Sequence, residues 1–362
     1  LNGTQAGPYV SGTGQQVTIT SLGTNVQVPN PDYNPNQVGS QPTIDRDYGF
    51  GAAQGGGSVT VDGTPLTIDS WDNATIVATV PAGVATGQLV VTRDNGQSTI
   101  VGITLTVGGA ATTVGAGGIQ AAIDAAASGD LILVPTGTYN ELVILYKNVR
   151  LQGSGANTVI NAAKNLPEKT TNWRTKVQSL VQSGQAGLLP GQDPSFSTFP
   201  NAGLFPTELG PGILVMPPAG AFDAGGVPRI DGFTVTAADS GGGILVNGYA
   251  NNLQISNNRI RSNHGTYRAG IRICHPVTPF AFGSQQVDAL NDTIVIRYND
   301  ISQNGSTGGG FEGATGGAGG GVSVYNGADS YQIRDNFIVG NFTTMSGAGI
   351  GHYGLNEDGL ID

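Results

Sequence analysis

Charge is scarce in this chain. Only 11% of its 362 residues are Asp, Glu, Lys or Arg, and the balance is acidic, with a formal net charge of −10. No run of Lys and Arg is present, so a nucleic-acid or anionic-membrane partner lacks the clustered cations it would need. Cysteine is nearly absent: Cys274 stands alone, which excludes an intrachain disulfide and says little about compartment. No apolar run reaches the roughly 18 residues that span a bilayer, so membrane insertion is not expected. Three scattered histidines give no metal-ligand spacing. The stretch GSTGGGFEGATGGAGGG lacks the Gly-Lys-Ser/Thr ending of a phosphate loop and reads as an excursion between structural units.

Glycine, by contrast, is abundant at 59 residues, and 38% of the chain is hydrophobic, enough for a sizeable core. The surface must then be made largely of Ser, Thr, Asn, Gln and backbone, a composition suited to tightly turned β structure.

One phrase occurs three times, as ISNNRIRSN, IRYNDISQN and IRDNFIVGN. Each copy sets an Asn three places after an Ile, twice over. Self-similarity over a few tens of residues marks a solenoid, whose units cannot bury their apolar faces alone and must stack. Each unit opens with Gly and a short strand, as in GILVM, GILVN, GIRICH, GVSVYN and GIGHYG. Alternation along a strand points Ile213 and Val215, Ile244 and Val246, Ile271 and Ile273, and Val322 and Val324 inward. His352 shares that inward register and reads as a core histidine. The repeated Asn residues predict two structural ladders, Asn258, Asn299 and Asn336 in one and Asn263, Asn304 and Asn341 in the other. Asn suits such corners because its amide bonds to its neighbours and to turn backbone, and because it tolerates the left-handed conformation.

The chain divides into three parts. Residues 1–42 hold one alternating stretch, QQVTITSLGTNVQVPN, and a Pro- and Asn-rich linker; the strand is free to pair with the next domain or with another molecule. Residues 43–108 carry short alternating runs separated by Gly and Asp-Asn-Gly turns, the pattern of a small β-sandwich. Residues 109–362 hold the repeats, opened by a short helix at about 117–128 (GGIQAAIDAAAS) that covers the first coil edge. They are interrupted at about 165–211, where Trp173, Val177, Leu180 and Val181 share one helical face and predict an amphipathic helix packed on the solenoid.

Two segments resemble known families. The string DYGFGAAQGGGSVTVDGTPLTIDSWDNATIVATVPAGVATGQLVVTRDNGQS resembles an IPT/TIG domain of the immunoglobulin-like superfamily, in its Gly-Phe-Gly start, Ser70-Trp71, Val80-Pro81 and Gly87. That resemblance implies a spacer or binding module of surface and extracellular proteins. The string IQAAIDAAASGDLILVPTGTYNE resembles the entry cap and first coil of the pectin-lyase-like family. The fold class it implies is all-β: a right-handed single-stranded parallel β-helix with a short N-terminal cap helix, preceded by an Ig-like β-sandwich.

Many pectin-lyase-like proteins cleave or epimerise acidic polysaccharides with carboxylates that hold calcium, an Arg or Lys base, or paired Asp residues. The outward columns of the first strand here read Leu214, Leu245, Arg272, Ser323 and Gly351, then Met216, Asn247, Cys274, Tyr325 and Tyr353, with no carboxylate. The best remaining cluster is His264, Tyr267, Arg268, Arg272, Cys274 and His275, with Asp288, Asp292 and Glu312 on loops able to fold over it. Arg272, His275, His264 and Tyr267 are the candidate catalytic residues. Arg268, Arg272, Tyr325 and Tyr353 are the candidate glycan-binding residues, Arg272 by a bidentate grip on a carboxylate and the tyrosines by stacking. Cys274 and His275 form no dyad, since adjacent strand residues face opposite sides. No cofactor is expected beyond a calcium ion held by an acidic turn such as NEDG or RDNG.

The leading expectation is an exported, extracellular or cell-surface scaffold without catalysis. It would assemble with itself, end to end or by strand addition, into filaments or matrix, and bind polysaccharide along its side. The start LNGTQAG reads as a mature or trimmed end. GIGHYGLNEDGLID reads as a partial repeat, so the chain is either a fragment or has a last coil that a partner covers. The alternative is an enzyme acting on an acidic polysaccharide: a lyase, epimerase or hydrolase. A third reading places the chain within a larger secreted protein whose oxidase domains lie elsewhere.

Overall fold

The structure is a computed structural model and describes residues 8–30, 32–164, 167–190, 192, 210–223, 225–265, 269–274, 288–306, 319–344, 347–352 and 358–362. It is nearly all β and divides into two compact units, Leu1–Gly109 and Ala110–Asp362. Among the described residues no helix is long and apolar enough to cross a membrane.

In the first unit, two sheets share one core. The larger runs in the order Tyr9–Val10, Ile103–Val107, Gly87–Thr92, Ser58–Val61, Thr64–Pro65; the smaller is Gln16–Thr20, Thr75–Thr79, Thr67–Trp71. Period-2 alternation gives one buried face per strand: Val59 and Val61, Ile76 and Ala78, Leu89 and Val91 are buried while their neighbours are not. The alternating stretch at residues 15–30 forms two strands: Gln16–Thr20 pairs antiparallel with Thr75–Thr79, the option of pairing with the following domain, while Tyr9–Val10 ahead of it joins the larger sheet. The expected border at residue 42 falls inside a further hairpin, Val26–Pro29 with Thr43–Arg46.

In the second unit, successive passes of the chain give one strand each to three parallel sheets, an arrangement consistent with a β-helix-like fold. Sheet A holds Ala111–Thr113, Leu131–Val134, Arg150–Gly153, Arg229–Asp231, Gln254–Ser256, Val295–Arg297, Gln332–Arg334 and Leu360–Ile361. Sheet B runs from Gly137–Tyr139 to Phe337–Val339, and sheet C from Val143–Leu145 to Ile350–His352. In register, Leu151, Ile230, Ile255, Ile296 and Ile333 form one interior column of sheet A. Ile160, Val235, Ile260, Ile301 and Ile338 form the interior column of sheet B. The opening glycines fill a place with no room for a side chain: a Cβ on Gly243 would lie 2.7 Å from Ile260 Cγ2 and 2.9 Å from the Gly270 carbonyl.

The repeated asparagines stack between sheets A and B and after sheet B. Asn258 Nδ2 donates to Asn299 Oδ1 at 3.1 Å, and Asn299 Nδ2 to Asn336 Oδ1 at 2.9 Å. Asn263 donates to Asn304 at 3.0 Å and Asn304 to Asn341 at 2.9 Å. The Oδ1 atoms of Asn299, Asn336, Asn304 and Asn341 also accept the backbone N–H of the preceding asparagine, and those of Asn258 and Asn263 accept the N–H groups of Phe233 and Ala238, so the ladders close backbone bonds that the corners would otherwise leave open. The left-handed residue is not the ladder asparagine, however. It is the residue before it: Asn257, Tyr298 and Asp335 at one corner, Ser262 and Gln303 at the other, with φ between 55° and 58°. At roughly 1–2 kcal/mol for each non-glycine residue in that region, the ladder offsets a real conformational cost.

Helix α1, Gly118–Ala125, caps the first coil, packing against Leu131–Val134 and Val143–Leu145 with Ile119 and Ile123 fully buried. Its own side chains supply no N-cap; instead the Glu141 carboxylate accepts the Ile119 and Gln120 N–H groups, both at 2.9 Å. Helix α2, Pro167–Gln182, is the amphipathic part of the insertion. Trp173, Val177 and Leu180 are buried in the core, and Val181 packs against it. Asp124 ties the two helices and the first coil together, accepting from Lys176 at 2.7 Å, Tyr146 at 2.9 Å and Gln120 at 3.1 Å. Burial opposes its ionisation, but those hydrogen bonds outweigh burial and its pKa is lowered.

Candidate functional site

Sheet C carries the columns in which a glycan platform was expected. Leu214, Leu245, Arg272, Ser323 and Gly351 do stand in register across successive strands. They are not open to solvent. Leu214, Leu245 and Ser323 are fully buried, Arg272 is 3% exposed and Tyr325 4%. Part of the cover is the chain that follows α2. The Gly187 N–H donates to the Met216 carbonyl at 3.3 Å, and Leu189 packs with Cys274, Ala289 and Tyr325. Gln192 and Asn247 exchange two amide hydrogen bonds of 2.8 and 2.7 Å. The physical reason is in the columns themselves, since Leu214, Leu245 and Met216 are apolar on the outside and need a layer above them. Cys274 is buried and has a φ of 66°, so it departs from simple strand alternation.

The remaining candidates do not gather around Arg272. His264 lies on a different sheet, in the strand His264–Gly265 beside Gly305–Ser306, and is exposed. Tyr267, Arg268, His275, Glu312 and Tyr353 lie outside the described residues. Asp288 and Asp292 are engaged in the turns that follow sheet C: Asp288 accepts the Leu290 N–H, and Asp292 accepts the Asp329 N–H at 3.2 Å while donating its own to Asn251. Burial raises the pKa of Asp292; the Asp329 N–H opposes this, and the charges of Asp288, Asp329 and Asp223 add to it. His352 is in register with Val324, as expected, yet it is exposed, because no described strand lies beyond it in sheet C. Its ring meets Tyr331 edge-on, with centroids 5.8 Å apart. Among the described residues no group of three or more His, Cys, Asp or Glu side chains is placed to hold a metal ion.

The outer face of sheet A is where charge collects. With the middle residue of each strand facing the core, the flanking residues face out. In register these are Arg150, Arg229, Gln254, Val295 and Gln332 in one column and Gln152, Asp231, Ser256, Arg297 and Arg334 in the next. Arginine therefore stands opposite arginine twice, Arg150 with Arg229 and Arg297 with Arg334. Arg229 donates to Gln152 Oε1 at 2.7 Å, while Asp231 accepts from Ser256 at 2.8 Å and Asn257 at 2.9 Å. Burial lowers the pKa of Arg229, Asp231 works in the opposite direction, and the charges of Arg150 and Arg297 add to the lowering. The signal was present in the strings RLQ, RID, VIR and QIR, whose basic letters flank the core residue. It is hard to see because the first strand of each repeat, with its opening glycine, is the obvious place to read an outer column.

The middle of this face is covered, with Gln152, Asp231 and Ser256 at most 1% exposed and Arg229 6%, so among its charged residues only Arg150, Arg297 and Arg334, at its margins, keep partial access to solvent. No protein-family model matches the chain, and no curated protein or solved structure is similar to it.

Proposed function

We propose that this chain is an extracellular or cell-surface scaffold that lengthens by adding coils to an open end of its stack. In this reading the first unit is an Ig-like module of the IPT/TIG type acting as spacer. The second is a right-handed parallel β-helix of the pectin-lyase-like kind, used for its shape. The observation that carries the proposal is the last described coil, which leaves its sheets open to a further coil, whether of the same chain or of a second molecule. Phe337, Val339, Phe342, Leu360 and Ile361 are each about half exposed there, at 47–55%, on strands that end their sheets. Strand edges beside exposed apolar side chains are templates for further pairing. At the other end α1 packs on the first coil, and the edge strand of sheet A, Ala111–Thr113, has two exposed residues and offers an edge to which the last coil of a second molecule would add.

The reading as a polysaccharide-cleaving enzyme loses its expected platform, because Arg272 and Tyr325 are buried. An oxidase activity belongs to this reading only as a property of other domains.

The experiment is negative-stain electron microscopy of the purified chain, in calcium buffer and in chelator. End-to-end stacks or filaments are expected, and the variant Phe337→Ser with Phe342→Ser should abolish them. A calcium dependence would place an ion at the contact. Dispersed particles at all concentrations would overturn the proposal.

A further inference from the structure

We infer that Asn95, at the tip of a hairpin in the first unit, is a site of spontaneous deamidation through a backbone succinimide, and that the fold selects it from several pairs alike in sequence. The site is independent of the scaffold reading, since it belongs to the first unit and not to the coils.

An Asn followed by Gly closes this ring readily, because the second residue has no side chain to obstruct the attack. Among the described residues the pair occurs four times, at Asn95–Gly96, Asn247–Gly248, Asn304–Gly305 and Asn326–Gly327. Three of these are held shut. Asn304 is 1% exposed; its Nδ2 donates to the Ile260 carbonyl at 2.8 Å and to Asn341 Oδ1 at 2.9 Å, and the Gly305 N–H donates to the Asn263 carbonyl at 2.9 Å. Asn247 is fully buried and exchanges amide bonds with Gln192, while Leu189 packs so closely on Gly248 that a Cβ there would lie 2.6 Å from its Cδ2. Gly327 is buried against the next coil's chain, where a Cβ would lie 2.1 Å from the Ala289 nitrogen.

The pair in the first unit differs at each point. Asp94, Asn95, Gly96 and Gln97 are all exposed, and no atom comes within 4 Å of a Cβ placed on Gly96. The Asn95 amide bonds within its own turn: Oδ1 accepts the Gln97 N–H at 3.1 Å, and Nδ2 donates to Gln97 Oε1 at 3.3 Å. The first of these bonds lies where negative charge develops on Oδ1 during the attack. The Gly96 N–H donates to the Arg93 carbonyl at 2.9 Å, a bond at an exposed tip that opens at little cost.

The chemistry needs only water and base. Base removes the Gly96 N–H proton, the nitrogen attacks Asn95 Cγ, and the Cγ–Nδ2 bond breaks, Nδ2 leaving as ammonia with a proton from water. Water then opens the cyclic imide. Cleavage at the main-chain carbonyl gives isoaspartate, and cleavage at Cγ gives aspartate. Isoaspartate adds a methylene to the main chain of a turn closed by the Arg93 N–H to Gln97 carbonyl bond of 2.8 Å. Either product sets a new carboxylate beside Asp94, whose Oδ1 accepts the Gly56 N–H. Conversion therefore loosens the hold of the hairpin on the loop around Gly56.

The test is peptide mapping by mass spectrometry of the full chain kept in mildly alkaline buffer, folded and in urea, with charge variants followed by ion exchange. In urea all four pairs should convert at comparable rates. In the folded chain Asn95 should convert, while Asn304, which reacts only when its coil opens, should be at least about a hundredfold slower. Asn95→Gln keeps an amide but demands a larger, slower-closing ring, and should abolish the early charge change without altering the melting temperature. Hydrogen exchange at Gly56 should rise in the converted chain, and unchanged exchange there would overturn the loosening of the loop. The inference itself is overturned if Asn95 is retained in the folded chain while it converts in urea, or if Asn304 converts as fast as Asn95 in the folded chain. It is equally overturned if the Asn95→Gln variant gains negative charge as early as the wild type.

Discussion

The two ends of the stack are built from the same kind of coil and differ in burial. At the first end Leu131, Ile132, Leu133 and Val134 are at most 3% exposed, with the edge strand Ala111–Thr113 paired outside them and α1 packed against their strand. At the other, Ile361 occupies the same interior column as Ile333 and Ile296, yet it is 51% exposed where Ile333 is 2%. The residue type is unchanged; what changes is whether a neighbour lies on both sides. A coil of this kind supplies only half of the cover its own interior needs, and the other half must come from a helix, another coil or another molecule.

The largest effects should appear where both neighbours are present. Ile296→Ala, in mid-stack, should cost about 2–5 kcal/mol in urea unfolding, whereas Ile361→Ala should cost a small fraction of that. Equal losses at the two positions would break the comparison. Next comes the ladder. Asn299→Ala leaves two N–H groups of Asn258 and two carbonyls without their partner, and at about 1–3 kcal/mol for a stranded buried group the loss should approach that of Ile296→Ala. Asn341→Ala, at the end of its ladder, should cost clearly less by the same measurement.

The capped end responds to its cap. Glu141→Ala strips the acceptor from two N–H groups at the start of α1 and should lower stability by about 1–2 kcal/mol, with hydrogen exchange rising first at Ile119 and Gln120. A smaller effect is tied to pH. The folded pKa of Asp124 is lowered, so its contribution is present above the unfolded value of about 3.9 and is lost as pH falls through the folded pKa. Asp124→Asn should therefore flatten the acid limb of the stability curve and leave its shape near neutral pH unchanged. The smallest stability change belongs to the open end, where Phe337→Ser with Phe342→Ser should alter the melting temperature hardly at all.

Much of this fold was legible because the repeat is short and strict. Ile followed three places later by Asn announces an interior residue and a corner, and the three copies give both interior columns and both ladders. The left-handed position was misplaced by one residue. Asn is the usual tenant of such corners, but here the ladder asparagine is needed for its hydrogen bonds and Tyr298 or Gln303 takes the strained conformation. The site was less legible. Strand alternation tells which side chains face out, not whether the outside is wet, and the segment holding Leu189 and Gln192 covers sheet C where an open platform was expected. The arginines of sheet A are visible as letters, but their opposition is a matter of register between repeats whose loops differ in length, so Arg150 meets Arg229 across a long insertion.

Sedimentation velocity of the wild-type chain and of the Phe337→Ser, Phe342→Ser variant, over a wide concentration range, tests most directly whether the exposed last coil is an assembly surface. The account predicts wild-type species that grow with concentration and a variant that stays monomeric with an unchanged melting temperature. A wild-type chain that sediments as a monomer at every concentration, or a variant that assembles as well as the wild type, would contradict it.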